Sequence, residues 1–114
     1  MHYIVIDQGT SSTKAFLFNS IGEILHKNTI RHKLSNPKKF HIEFDAATSL
    51  KACKNLFYEM LQKSGDIPIR RAGLSVQRST FLFWEKDSCR PVTPALSWQD
   101  SRAFRIVDEF LEHS

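Results

Sequence analysis

An α/β fold built on a mixed sheet is what this sequence predicts, and three observations carry the expectation. Three short segments with strand patterning open the chain and are joined by brief links, which argues for an antiparallel meander. One long, strongly periodic helix comes next. A further strand segment follows that helix, placed to extend the meander in parallel through a helical crossover.

Tyr3, Ile4, Val5 and Ile6 form a short apolar run and read as a buried strand. Residues 14–19 alternate, with Phe16 and Phe18 on one face. Asn19-Ser20-Ile21-Gly22 is a turn signal, and residues 23–31 read as a third strand. Residues 34–41 are polar and contain Asn36-Pro37, so a loop is expected. Asp45 is a good N-cap for the helix that follows. Leu50, Cys53, Phe57, Met60 and Leu61 recur at helical spacing as a core stripe, and Gly65 stands where a left-handed cap is wanted. After Pro68, residues 70–76 read as a strand. Thr80, Leu82 and Trp84 alternate with Phe81 and Phe83, which predicts more strand over 79–85, then a polar turn from Lys86 to Arg90 and a short strand at 95–98. Ser101 is expected to open a second helix, with Phe104, Val107, Phe110 and Leu111 on one face.

With 114 residues, 41% hydrophobic and 25% charged, the composition is that of one soluble globular domain. No apolar run is long enough to span a bilayer. The first apolar stretch is cut off by Asp7, which is wrong for a signal peptide, so a cytoplasmic protein without a membrane partner is expected. Cys53 and Cys89 lack a CxxC partner and read as reduced thiols, and the five scattered histidines suggest no metal site. Net charge is +4, with Lys27, Arg31, Lys33, Lys38 and Lys39 clustered and Arg70 and Arg71 later. A nucleic-acid surface would interleave aromatics for base stacking, and only Phe40 does so. A solvated edge strand and loop is the preferred reading, since charge on an edge blocks edge-to-edge pairing.

The strongest local motif is Asp7-Gln8-Gly9-Thr10-Ser11-Ser12-Thr13-Lys14, between two predicted strands. It is not a Walker P-loop, which ends in Gly-Lys-Ser/Thr and leads into a helix. A carboxylate ends the first strand, Gly9 allows a tight turn and close approach to an anion, four hydroxyl residues follow, and Lys14 adds positive charge. Such a set suits a polyphosphate, with Asp7 holding magnesium through water. A merely polar hairpin is the competing reading, although turn chemistry alone needs neither four hydroxyls nor that carboxylate.

This octet resembles the first phosphate motif of the actin/Hsp70/sugar-kinase superfamily, in the form found in the FGGY family of carbohydrate kinases. Gly73-Leu74-Ser75-Val76-Gln77-Arg78-Ser79-Thr80 resembles that family's substrate-contacting strand end. Trp84 to Pro91, then Ala95-Leu96-Ser97-Trp98-Gln99-Asp100-Ser101-Arg102, resembles its hairpin and Trp-x-Asp-x-Arg segment, and Ile42-Glu43-Phe44-Asp45 its Glu-x-Asp. The similarity runs from residue 3 to about 104. It implies a ribonuclease-H-like fold, with residues 1–114 forming the N-terminal part of the first kinase domain and a second domain absent.

The resemblance further implies ATP and Mg2+ as cofactors and a sugar or polyol as substrate. Gly9, Thr10, Ser11, Ser12 and Lys14 would bind phosphate, and Asp7 would organise the magnesium. Gln77, Arg78, Trp98 and Asp100 would form the acceptor side, with Arg102 either joining them or only pairing with Asp100. The family's general base and second phosphate motif lie beyond these residues, so the chain alone is expected to be inactive. One departure stands out: glycerol kinases carry Gln-Arg-Glu-Thr where this chain has Gln77-Arg78-Ser79-Thr80, which puts glycerol in doubt and leaves pentuloses and other polyols open. Cys89 stands where family members usually have glycine, with an effect expected only on the turn. A chaperone ATPase or actin-like protein is a weaker reading, because Trp98-x-Asp100-x-Arg102 is a polyol segment that such proteins do not need. A basic binding module over residues 27–39 is weaker still. The oligomeric state is left open.

Overall fold

The computed structural model describes residues 1–114. The chain forms two compact units, each drawn from two stretches of sequence. The first comprises Met1–Lys33 and Ala46–Arg78, the second Leu34–Asp45 and Ser79–Ser114.

The first unit is the mixed sheet with its helix. Strands β1 (His2–Gln8), β2 (Ser12–Phe18) and β3 (Ile24–Arg31) form the meander. Helix α1 (Ala46–Ser64) then leads to β5 (Ile69–Val76), which pairs with β1 in parallel. The order is β3-β2-β1-β5. Alternation decides the faces. Ile4 and Ile6 of β1 stand opposite Leu17 and Ala15 of β2, and all four are buried beneath Leu56 and Met60 of α1. Each such large aliphatic side chain stabilises the unit by about 1.5–3 kcal/mol. Tyr3, Val5 and Asp7 alternate onto the other face. β3 is an edge, as its charge predicted, and the His26 ring and Asn28 amide tie it to Glu59 of α1 at 2.8 Å each.

α1 begins directly after Asp45 and gives way to Gly65 at φ +60°, as expected. Its buried stripe differs from the predicted one. Ser49, Ala52, Leu56, Met60 and Ser64 are buried, with Cys53 and Phe57 partly so, whereas Leu50 is 57% and Leu61 36% exposed. At about 100° per residue, Leu50 and Leu61 lie roughly a quarter-turn from the stripe's centre. Small residues, invisible to a hydrophobic pattern, let the helix approach the sheet instead.

The second unit holds β4 (Glu43–Phe44) and β6 (Ala95–Leu96), paired antiparallel, and helix α2 (Phe104–Glu112). Residues 79–85 are not the strand expected: only the isolated bridges Phe81↔Leu96 and Trp84↔Pro91 form. Ser79 and Cys89 bend the chain at φ 61° and 58°, and Pro91 and Pro94 offer no N–H to a ladder. Cys89 therefore occupies a left-handed position that favours glycine. α2 starts at Phe104 rather than Ser101, because Ser101 to Ala103 form a turn closed by Phe104 N–H on the Ser101 carbonyl at 3.0 Å. Phe104 packs against Phe40 with centroids 4.6 Å apart, while Ile106, Val107, Phe110 and Leu111 remain exposed. No helix is long and apolar enough to cross a membrane.

Leu56→Ala is expected to cost about 2–5 kcal/mol, and Leu50→Ala less than about 1 kcal/mol. Urea denaturation of the two variants measures the difference; equal losses would return the core to the predicted stripe.

Candidate functional site

In the first unit the β1–β2 hairpin turns through Gly9, Thr10 and Ser11. Gly9 N–H donates to the Ser12 carbonyl at 2.9 Å, and a Cβ at position 9 would meet that same oxygen at 3.0 Å. Close backbone approach favours glycine here, since any side chain would have to push that oxygen back. Asp7 stands across from Lys14 in the ladder and beside Ser75 of β5; Asp7 and Lys14 are both exposed.

Three of the loop's carbonyl oxygens, those of Gly9, Ser11 and Ser12, are engaged by protein donors. The Gly9 oxygen accepts from the side-chain amides of Gln8 and Gln77, each at 3.2 Å. The Ser11 oxygen accepts from His32 N–H at 2.8 Å, and the Ser12 oxygen from Gly9. The His32 ring meets the fully buried Thr13 hydroxyl at 2.5 Å, and burial pushes the imidazole below its ordinary value, which favours the neutral form. With these three acceptors taken, the loop's polarity suits an anion. Gln77 lies just past the end of β5 beside this loop, and Arg78 after it is exposed.

The second unit holds Trp98, Asp100 and Arg102. Trp98 is 55% exposed, and its N–H donates to the Thr80 hydroxyl at 3.1 Å. Asp100 faces inward. One carboxylate oxygen accepts from Arg102 N–H and Nε at 3.0 and 2.9 Å. The other accepts from Ile42 N–H and Arg102 Nη2, both at 2.7 Å. Arg102 Nη2 also reaches Glu43 at 3.0 Å. The Arg102 fork beside Asp100 holds that carboxyl well below the usual carboxylate range.

The predicted residues thus divide. Asp7, Gly9, Thr10, Ser11, Ser12, Lys14, Gln77 and Arg78 belong to the first unit, and Trp98, Asp100 and Arg102 to the second. The pairing of Arg102 with Asp100 is present. Sequence reasoning gave no role to Gln8, His32, Ser49 or Glu43, because each acts through a partner that no local pattern reveals.

Comparison with known proteins adds the following. The family model described as "FGGY family of carbohydrate kinases, N-terminal domain" matches residues 2–114. Glycerol kinase 1 of Thermotoga maritima is 34% identical over 111 residues, 96% of this chain and 23% of that protein. Glycerol kinase of Pseudarthrobacter chlorophenolicus is 36% identical over 110 residues, 95% of this chain and 22% of that protein. Among solved structures, Plasmodium falciparum glycerol kinase with ADP superposes with a TM-score of 0.88 at 29% identity, over 95% of this chain and 22% of that one. A ligand-bound xylulose kinase from Lactobacillus acidophilus has a TM-score of 0.90 at 22% identity, over 98% of this chain and 22% of that one, and shows the shared fold. The chain therefore spans between a fifth and a quarter of the length of these relatives.

Arg102→Ala is expected to lower the melting temperature, because it strips Asp100 and Glu43 of their shared cation, and Arg102→Lys to restore only part, since an ammonium lacks the fork. Asp100's carboxyl is depressed in the folded chain, so its contribution is present above its ordinary value near 3.8 and is lost as pH falls through the folded value. The gap between wild type and Arg102→Ala is therefore widest above about pH 4 and narrows toward pH 2. Calorimetry across that range measures it; a gap independent of pH contradicts the assignment.

Proposed function

The chain belongs to the FGGY family of carbohydrate kinases, and we propose from that premise that the full-length protein transfers phosphate from ATP to a hydroxyl of a sugar or polyol. The observation that carries the reading is the loop after β1, whose Gly9, Ser11 and Ser12 carbonyls are taken by protein donors. The backbone N–H groups of Thr10, Ser11 and Ser12 and the hydroxyls of Ser11 and Ser12 would meet the phosphate oxygens, and Lys14 would offset negative charge. Phosphoryl transfer is largely positioning and electrostatic stabilisation, and a fixed loop supplies both.

The donor set around Asp7 fits magnesium. Asp7 offers one exposed carboxylate at the strand end, which suits an ion that keeps its waters and is shared with phosphates. Asp7 would hold that ion, which neutralises charge on the phosphates when bound.

On the acceptor side we assign Arg78 to the substrate hydroxyls, which its guanidinium can address in a fixed fork. Asp100, with both oxygens engaged internally, would hold the Trp98 segment in shape rather than touch the substrate. Ser79 supplies no carboxylate to accept from a polyol, so the substrate class is kept at sugar or polyol. Use of ATP and the free thiols Cys53 and Cys89 suit the cytoplasm.

In the full-length protein, Asp7→Ala is expected to abolish turnover while circular dichroism stays near wild type. Arg78→Ala should lower kcat/KM for the acceptor on the order of 10- to 100-fold, the value of a hydrogen bond to a charged group. A coupled ADP-release assay with a panel of ketoses and polyols reads both. Near-normal turnover in Asp7→Ala would reduce that residue to a turn position, and no substrate-dependent release by wild type would remove the kinase reading.

A further inference from the structure

Gln77 reads from sequence as part of the acceptor-side strand end, yet its side chain turns to the other side of the reaction. β5 runs parallel to β1 with Val76 beside Gln8, and Gln77 N–H then donates to the Gln8 carbonyl at 3.0 Å. That register sets the Gln77 side chain against the phosphate loop. Its amide nitrogen donates to the Gly9 carbonyl at 3.2 Å and to the Gln8 side-chain oxygen at 3.3 Å. Its amide oxygen accepts from the Thr10 hydroxyl at 3.3 Å. Gln8 continues the chain of bonds, donating to the Gly9 carbonyl at 3.2 Å and to the buried Ser49 hydroxyl of α1 at 3.1 Å.

We propose that Gln77 is a positioning residue of the ATP-phosphate loop, stapling Gly9 and Thr10 to the end of β5, so that it governs nucleotide binding rather than acceptor binding. The proposal rests on the kinase reading above and deepens it. Each bond is long and modest alone, but together they run from α1 through Ser49 and Gln8 to Gln77 and the loop. The chemistry needs an amide. The Gly9 carbonyl faces two amide donors and is thereby turned away from phosphate, which a free carbonyl would repel. The Thr10 hydroxyl directs its proton to Gln77, so contact with phosphate at position 10 falls to the backbone N–H. A carboxylate at position 77 would face the Gly9 and Gln8 oxygens as acceptor against acceptor and add negative charge beside the phosphates.

The test is steady-state kinetics on the full-length protein, varying ATP and the best sugar or polyol separately. Gln77→Leu should raise the KM for ATP about two- to tenfold for each bond that matters, with the acceptor KM within about twofold of wild type. Gln77→Glu should raise the ATP KM further. Thr10→Val should raise the ATP KM less than Gln77→Leu, because it breaks only one of the Gln77 side-chain bonds, and the double variant should be little worse than Gln77→Leu alone. An acceptor KM that rises as much as the ATP KM, or an unchanged ATP KM, overturns the proposal. Should Gln77→Leu fail to fold, Thr10→Val with Ser49→Ala carries the same expectation, read as weaker ADP binding by calorimetry. If wild type phosphorylates no sugar or polyol, the kinase reading fails by itself; the inference is then decided by the ADP affinity of Gln77→Leu, and unchanged affinity refutes it.

Discussion

The parallel pairing of β1 with β5 is the constraint on which the candidate phosphate site depends. Residues far apart in sequence meet through it: Asp7 comes beside Ser75, Gln8 beside Val76, and Gln77 beyond them against Gly9. α1 makes this pairing possible, because a parallel neighbour needs a crossover and the crossover helix covers the sheet's apolar face. Ile4, Ile6, Ala15 and Leu17 are buried by that cover, and the same helix supplies Ser49 to Gln8. Packing and site geometry thus share one element. A slip of one residue between β1 and β5 would turn Ile6 toward solvent and carry Gln77 away from the loop together.

The two units use charge in opposite ways. In the second, a cation and two carboxylates are committed to each other, with Asp100 only 7% exposed and Arg102 binding both Asp100 and Glu43. Such a network fixes shape and leaves little capacity for a ligand. In the first, Asp7 and Lys14 are exposed at the loop, while two glutamine amides, a buried threonine and a histidine whose pKa burial lowers do the holding. Neutral donors can fix a phosphate loop without competing for the anion or repelling it.

Local signals carried much of the fold. The apolar run at Ile4–Ile6, the turn at Asn19–Gly22 and the cap at Gly65 each arise from a few adjacent residues, so β1, β2, β3 and α1 were readable. The helix stripe was misplaced because Ser49, Ala52 and Ser64 are buried for their size, not their hydrophobicity. Residues 79–85 alternate like a strand, but left-handed turns at Ser79 and Cys89 and the prolines beyond limit pairing to single bridges. The loop motif was legible because its residues are contiguous. Gln77 was placed on the acceptor side by the resemblance of Gly73 to Thr80, and its partners lie nearly seventy positions away. Asp100 was placed on the acceptor side by the Trp-x-Asp-x-Arg resemblance, and the bond from Ile42, nearly sixty positions away, is not legible in that segment.

The central claim is that the loop after β1 holds the phosphates of a nucleotide. A crystal structure of the full-length protein with a non-hydrolysable ATP analogue and magnesium tests it most directly. The account predicts phosphate oxygens within hydrogen-bond distance of the backbone N–H groups of residues 10–12, with the Gly9 carbonyl still bound by Gln77. Phosphates lodged elsewhere, or a loop whose carbonyls turn toward the ligand, would contradict it.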